Sequence, residues 1–195
     1  MKKILALVLA LAMTLSLAGC GAVGKAEATV KNFFEACKAG NLEDAQKYLV
    51  IEEEAETEDN AEVYDMAALV LEKLDYSLVS SEQIDENTVT VTASVTAPDM
   101  KVAVGEFFQQ ALAFAFSNAF SEAPLSDEEA QAEMMNMFIE AMSKEDLGLV
   151  TNEAAISVVK TEEGWKIDAD EDFADAVTGG MLSALEELSS SFTEE

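Results

Sequence analysis

The stretch Thr88-Val89-Thr90-Val91-Thr92-Ala93-Ser94-Val95-Thr96 decides the fold. Apolar and polar side chains alternate through it without a break. A period of two places Val89, Val91, Ala93 and Val95 on one face and the threonines on the other, the pattern of a half-buried strand. Just upstream, Tyr76 to Ile84 alternates as well. Asp85-Glu86-Asn87 between the two fits a hairpin connection, so they are predicted to pair antiparallel. Ala97-Pro98-Asp99 is expected to break the strand, because proline has no N–H to give to a ladder. Further on, Ala154 to Thr161 reads as another strand, Glu162-Glu163-Gly164 as its turn and Trp165-Lys166-Ile167-Asp168 as the return. Two hairpins set among helical segments predict an α+β fold with a four-stranded antiparallel curved sheet packed on helices.

The helical segments follow from period 3.6. Val30, Phe33, Phe34 and Cys37 share one face of a helix predicted from about Lys25 to Ala39, stopped at Gly40, a residue that accepts the left-handed cap. Asn41 then caps a short helix whose apolar face is Leu42, Ala45 and Leu49. The dense acids from Glu52 to Asp59 repel one another and predict a loop or a frayed helix end, and a third helix is expected from about Asn60 to Leu74. Between the hairpins, residues 100–145 predict a two-helix insertion, the first helix from about Met100 to Phe120 and the second opened by the capping box Ser126-Asp127-Glu128-Glu129. Both helices are unusually apolar. Val104, Phe107, Phe108, Leu112, Phe114, Phe116 and Phe120 on the first, with Met134, Met135, Met137, Phe138 and Met142 on the second, are expected to form core, with a pliable pocket or partner groove as the lesser reading. Glu106, Gln109, Gln110 and Asn118 argue against a membrane span. A last helix is predicted from about Asp170 to Leu188, broken or kinked near Gly179-Gly180 and followed by a polar tail.

Composition excludes several kinds of chemistry. The 195 residues contain no histidine, which removes Ser-His-Asp and Cys-His nucleophile pairs and histidine-ligated zinc. Two cysteines, Cys20 and Cys37, are too few for a cysteine zinc cluster. Cys37 lies on the apolar face of its helix, where a buried, inert thiol is expected. The formal net charge of −28, from 39 acids against 11 bases, argues against nucleic-acid binding, which needs a basic footprint. Asp168, Asp170 and Asp172 alternate like the start of a calcium loop, but Phe173 stands where the turn glycine should be and Gly179 where the last carboxylate should be. An acidic helix start explains the run better. No catalytic residue, metal ligand or cofactor is indicated.

The first twenty residues speak of location. Lys2 and Lys3 precede an apolar run from Ile4 to Leu17, which ends in Leu17-Ala18-Gly19-Cys20. A basic start, a short apolar stretch and small residues at the cut site make the layout of a signal peptide over residues 1–19. Leu-Ala-Gly-Cys resembles the lipobox of bacterial lipoproteins, and the resemblance implies that Cys20 becomes the first mature residue and the point of lipid attachment. Two or more acyl chains give a stable anchor, where one gives only marginal binding. Loss of residues 1–19, which carry two lysines and no acid, leaves 176 residues with a charge of about −30, a length suited to one domain. The expected organisation is a short lipidated tether at 20–24, a single domain at 25–189 and a polar tail at 190–195. The expected location is the outer face of the cell membrane, on a lipid anchor.

Three stretches carry a further resemblance: Val30-Lys31-Asn32-Phe33-Phe34-Glu35-Ala36 through Gly40-Asn41-Leu42 to Tyr48-Leu49, the strand from Thr88 to Pro98, and Val158-Val159-Lys160 through Gly164-Trp165-Lys166-Ile167. Together they resemble small exported lipoproteins of Gram-positive bacteria in the cystatin-like, nuclear-transport-factor-two-like group. The resemblance implies a curved sheet cupping a long helix; its motifs are structural, and the catalytic residues of the enzymes in that group have no counterpart motif here. The leading expectation is a membrane-anchored, non-catalytic binding or accessory domain, with a protein or a small apolar molecule as ligand. One alternative is an apolar-ligand carrier or enzyme that uses the cone of the fold and an inward carboxylate raised in pKa by desolvation. Another is a self-associating envelope scaffold that docks through the helical insertion.

Overall fold

The computed structural model of the protein describes residues 21–51, 70–71, 73–144 and 146–191. Cys20 and the signal stretch, the acidic run at 52–59 and most of the expected third helix lie outside the described residues.

The alternating segments form the expected sheet. Strands β1 (Asp75–Gln83), β2 (Thr88–Pro98), β3 (Leu149–Thr161) and β4 (Gly164–Asp168) stand in the order β1-β2-β3-β4, every neighbour antiparallel. At the β1–β2 turn the Asn87 N–H donates to Asp85 Oδ1 at 2.7 Å, a local bond that fixes the tight connection. A bulge between Leu78 and Ser80 interrupts the alternation of β1 and leaves Val79 exposed. β2 ends at Pro98, within the Ala97-Pro98-Asp99 break expected from the sequence. Pro98 itself pairs with Leu149. The pairing with β1 starts at Asp75 opposite Thr96, so beyond Thr96 the strand has a neighbour on one side only, where a residue without an N–H is tolerated.

Helix α1 covers residues 21–38 and ends at Gly40, whose φ of +69° allows the Asn41 N–H to reach back to the Ala36 carbonyl at 2.9 Å. It starts earlier than expected. Residues 21–24, expected as an extended tether, are helical, which shortens their reach from about 3.4 Å to about 1.5 Å per residue. Helix α2 (Leu42–Gln46) is capped by Asn41, which accepts from the Asp44 N–H. It stops short of Leu49 because the chain there joins the sheet: the Ile167 N–H donates to the Tyr48 carbonyl at 2.7 Å, and the Val50 N–H to the Ile167 carbonyl at 2.8 Å.

The core lies between α1 and one face of the sheet. Ala26, Val30, Phe33, Phe34 and Cys37 pack on Val89, Val91, Ala93, Val95, Ile156, Val158 and Ile167, all buried. Phe34 stacks on Tyr76 at 4.5 Å between ring centres and meets Phe33 edge-on at 5.4 Å. After β4, helix α5 (Glu171–Val177) closes this core with Phe173, Ala176 and Val177. The last helix is indeed broken. Gly179 and Gly180, at φ +62° and +83°, separate α5 from α6 (Met181–Ser191). Between β2 and β3 stand α3 (Met100–Ala119) and α4 (Asp127–Met142), the expected insertion. Met100, Ala103, Met142 and Leu147 form a smaller buried cluster with Val70 at its root.

The two ends of the sheet differ. Ser81 donates to Glu27 Oε1 at 2.9 Å near the start of α1, and Lys38 pairs with Asp75 at 3.0 Å near its finish, so α1 runs opposite to β1. The start of α1 therefore lies with the hairpin turns at 84–88 and 161–164. The helical insertion leaves from the opposite end, where β2 finishes at Pro98. β2 has 11 residues, so about 35 Å of strand separates the two ends.

Candidate functional site

The interior of the fold is the first place to look, since a carrier or enzyme would need a cup there with an inward acid. Where the residues are described, the space between α1 and the sheet is occupied by the side chains named above. Thr29 is the one polar residue in the buried class among the described residues, and its hydroxyl donates to the Lys25 and Trp165 carbonyls at 3.1 and 3.3 Å. Among the described residues no carboxylate is buried in this way. Cys37 is a buried free thiol, and burial pushes its pKa up to about 12, which leaves it protonated and unreactive at neutral pH.

The acidic alternation at 168–172 folds as a helix start. Asp170 accepts from the Phe173 N–H at 2.8 Å, and Glu171 and Asp172 occupy the first turn of α5, where the helix dipole favours negative charge. An open cleft of about 340 Å³ runs beside them, lined by Glu153, Asp170, Asp172 and Asp175 along with Asn152 and Ala154. Asp175 is engaged already, accepting from the Ser183 N–H and hydroxyl at 2.9 and 2.6 Å. Among the described residues no three His, Cys, Asp or Glu side chains converge as metal ligands would.

The helical insertion departs from expectation. Its phenylalanines and methionines do not form a closed core. Val104 and Met142 are buried, and Phe107 meets Phe138 edge-on at 5.2 Å, which holds α3 to α4. Phe108, Phe114 and Met137 are half-buried. Leu112, Met134 and Met135 are exposed, as are Phe116 at 65% and Phe120 at 85%. The physical reason lies in the width of the apolar surface. α3 carries one stripe facing inward through Met100, Ala103, Phe107, Ala111 and Phe114; α4 lies along it, and α6 packs at its start through Met181 and the Lys101–Glu187 pair. The opposite stripe, Val102, Gly105, Gln109, Leu112, Phe116 and Ala119, is exposed at every position, and its spacing alternates three and four. Reading the sequence for one apolar face missed it. The available signal is that residues 107–121 contain no charged side chain in a chain whose charged fraction is 26%.

The hairpin is firmly built under that surface. Ser126 and Glu129 complete both arms of the capping box, with Ser126 Oγ accepting from the Glu129 N–H and the Ser126 N–H donating to the Glu129 carboxylate. The Ser126 N–H and the Ser126 hydroxyl both donate to this carboxylate and hold the Glu129 carboxyl below its ordinary pKa. Asn118 Oδ1 accepts from the Leu125 N–H at 2.8 Å, and Lys144 pairs with Glu106, so the connection and the open end are both tied. No described helix is long and apolar enough to cross a membrane.

Cys20 precedes the first described residue, and residue 21 already belongs to α1. A lipid on Cys20 would sit at the start of that helix. Compared with known proteins, the chain matches no family model, no curated relative and no solved structure.

Proposed function

We propose that this protein is an exported lipoprotein, anchored through Cys20 to the outer face of the cell membrane, that acts as a non-catalytic binding module. The cystatin-like lipoproteins that its sequence resembles are the group in which we place it. One observation carries the reading: residue 21, next in sequence to Cys20, lies in α1 at one end of the sheet, and the exposed apolar hairpin leaves from the other. An anchor at the first end and a contact surface at the second describe a spacer that presents α3 and α4 away from the lipid. The acidic surface fits this role, since it repels anionic head groups and keeps the domain off the bilayer. The filled space under α1 agrees with a module that binds at its surface.

Fractionation of cells expressing the whole chain tests it. The parent protein is expected in the membrane pellet after a high-salt wash and the Cys20→Ala variant in the soluble fraction. A Cys20→Ala variant that stays with the washed membrane would refute the lipid anchor.

A further inference from the structure

We infer that the uncovered face of α3 is the seam of a symmetric pair, in which α3 of one copy packs against α3 of a second copy of the same chain. The partner assignment rests on the anchored-module reading above. The stripe Val102, Gly105, Gln109, Leu112, Phe116 and Ala119 recurs at three-four spacing, the repeat by which two helices keep one seam in register. Its rows are flanked by Ala113, Ala115 and Phe120, so the face is apolar to either side of the seam.

Charge selects the occupant. A chain of net charge −28 should repel its own copies, yet residues 107–121 offer no charge to repel. They offer no acid to a cationic partner either, while acids crowd the start of α4 at Asp127, Glu128 and Glu129. The bilayer is disfavoured by place, because the root of the hairpin lies at the end of the sheet away from residue 21. A second copy meets each condition. An identical stripe is self-complementary about a two-fold axis, and anchoring on one membrane raises the local concentration of copies.

The area suffices. At about 200 Å² for a whole phenylalanine, Phe116 and Phe120 at 65% and 85% exposure present about 300 Å² between them. With Val102, Leu112 and the alanines one face offers roughly 500 Å², and two such faces closed on each other bury on the order of 1,000 Å², the lower bound of a specific interface. Gln109 is the one amide on the seam, and in a pair it can hydrogen-bond across to fix the register, as polar seam residues do.

Cysteine cross-linking in whole cells tests the seam. Four variants of the full chain, Gly105→Cys, Gln109→Cys, Leu112→Cys and Phe116→Cys, sample it whichever way the two helices run, and Glu86→Cys at the opposite end of the sheet is the control. Oxidation followed by a non-reducing gel is expected to give a band at twice the mass of the monomer band for at least one seam position. The control should give less than a tenth of that yield. Adding Phe116→Glu to Leu112→Cys should abolish the band, and because Phe116 is largely exposed the circular dichroism of that variant should not change. No band at any seam position, or equal bands from the control, would overturn the pair. Seam cysteines that resist maleimide in a chain that stays monomeric would assign the cover to the chain's own segments. Protection that appears only with neutral lipid vesicles would assign it to a bilayer, and either result refutes the pair. The parent chain reports on the anchor separately: with Cys37 buried, a cross-link in the parent would mean that Cys20 carries a free thiol, which refutes lipidation and leaves the seam result standing.

Discussion

Replacing Gly179 by alanine tests how the helical insertion is seated on the sheet. Gly179 has φ +62°, a conformation that costs an L-residue about 1–2 kcal/mol. The larger effect is steric. A Cβ at this position would lie 1.9 Å from the Pro98 carbonyl oxygen and 3.1 Å from its carbon, and both are backbone atoms in a paired strand. The chain must move apart there, and the same displacement strains the bond from the Met100 N–H to the Gly179 carbonyl at 3.0 Å. Met100 is fully buried, so an N–H that loses its partner costs a further 1–3 kcal/mol or so. Gly179→Ala should therefore destabilise by about 2–5 kcal/mol. Gly180→Ala is the internal control. It shares the left-handed conformation, at φ +83°, but its Cβ would meet only the methylenes of Lys101 at 3.1–3.6 Å, which can rotate away. Its cost should stay near 1–2 kcal/mol. At about 2–4 °C per kcal/mol for a chain of this length, the Gly179 variant should melt about 4–20 °C lower and the Gly180 variant roughly 2–8 °C lower. Urea titration followed by circular dichroism gives the two values side by side. Equal losses, or a Gly179→Ala loss under about 1 kcal/mol, would refute the close approach of α5 to the end of β2.

The capping box gives a pH dependence. The Glu129 carboxyl has a lowered folded pKa, so its contribution is present in full above the ordinary glutamate value of about 4.3 and is lost as the pH falls through the lowered folded value. The protection factor of the Glu129 amide, its exchange rate relative to the unfolded chain at the same pH, should hold down to about pH 4.3 and fall below it, and Glu129→Gln should flatten that profile; an unchanged profile would count against the box. Ser126→Ala should cost about 1 kcal/mol in the same hairpin by urea titration. For Cys37, with its thiol pushed up to about 12, a thiol reagent at pH 8 should leave the native protein unlabelled and react only after denaturant is added, while rapid native labelling would show that α1 opens.

Legibility in the sequence followed the number of faces a segment must bury. β2 buries one face against α1, and the alternation from Thr88 to Thr96 gave its inward residues Val89, Val91, Ala93 and Val95 correctly. α1 also has one buried face, and Val30, Phe33, Phe34 and Cys37 were readable from spacing alone. α3 has two apolar faces, and among the described residues only one is covered. Period 3.6 reports that a stripe is apolar, and it carries no information about whether anything packs on it. Residues 21–24 were misread for a different reason. Gly21 and Gly24 are poor helix formers, but they continue a helix already fixed by its packing downstream, and tertiary context overrides a weak local preference. The partial candidate site was least legible of all, because an uncovered face is recognised only once its neighbours have been placed.

The insertion can be separated from the sheet, and removing it tests that division. Pro98 and Leu149 pair across β2 and β3, and the Asp99 N–H donates to the Gly148 carbonyl at 3.3 Å, so the chain leaves and returns at one point. Deleting residues 100–147 joins Pro98-Asp99 to Gly148-Leu149. Asp-Gly is a favoured two-residue hairpin turn, and Gly148 already has a positive φ of +76°. Asp99 must change from φ −73° to a positive value, which aspartate tolerates better than most residues. Every buried side chain of the main core lies outside the deleted segment. The deletion uncovers Val70 and the side of α6 that faces α3, Met181 included, at about 1.5–3 kcal/mol per fully buried side chain. Shortening the connection from dozens of residues to two lowers its closure entropy by roughly 3 kcal/mol. The two terms are comparable, so the shortened chain should keep a cooperative urea transition with the circular dichroism of the sheet intact. It should also be monomeric, since the α3 seam is gone. Loss of cooperative unfolding would show that α3 and α4 are part of the folding core, and they could not then be treated as a contact surface carried by an independent sheet.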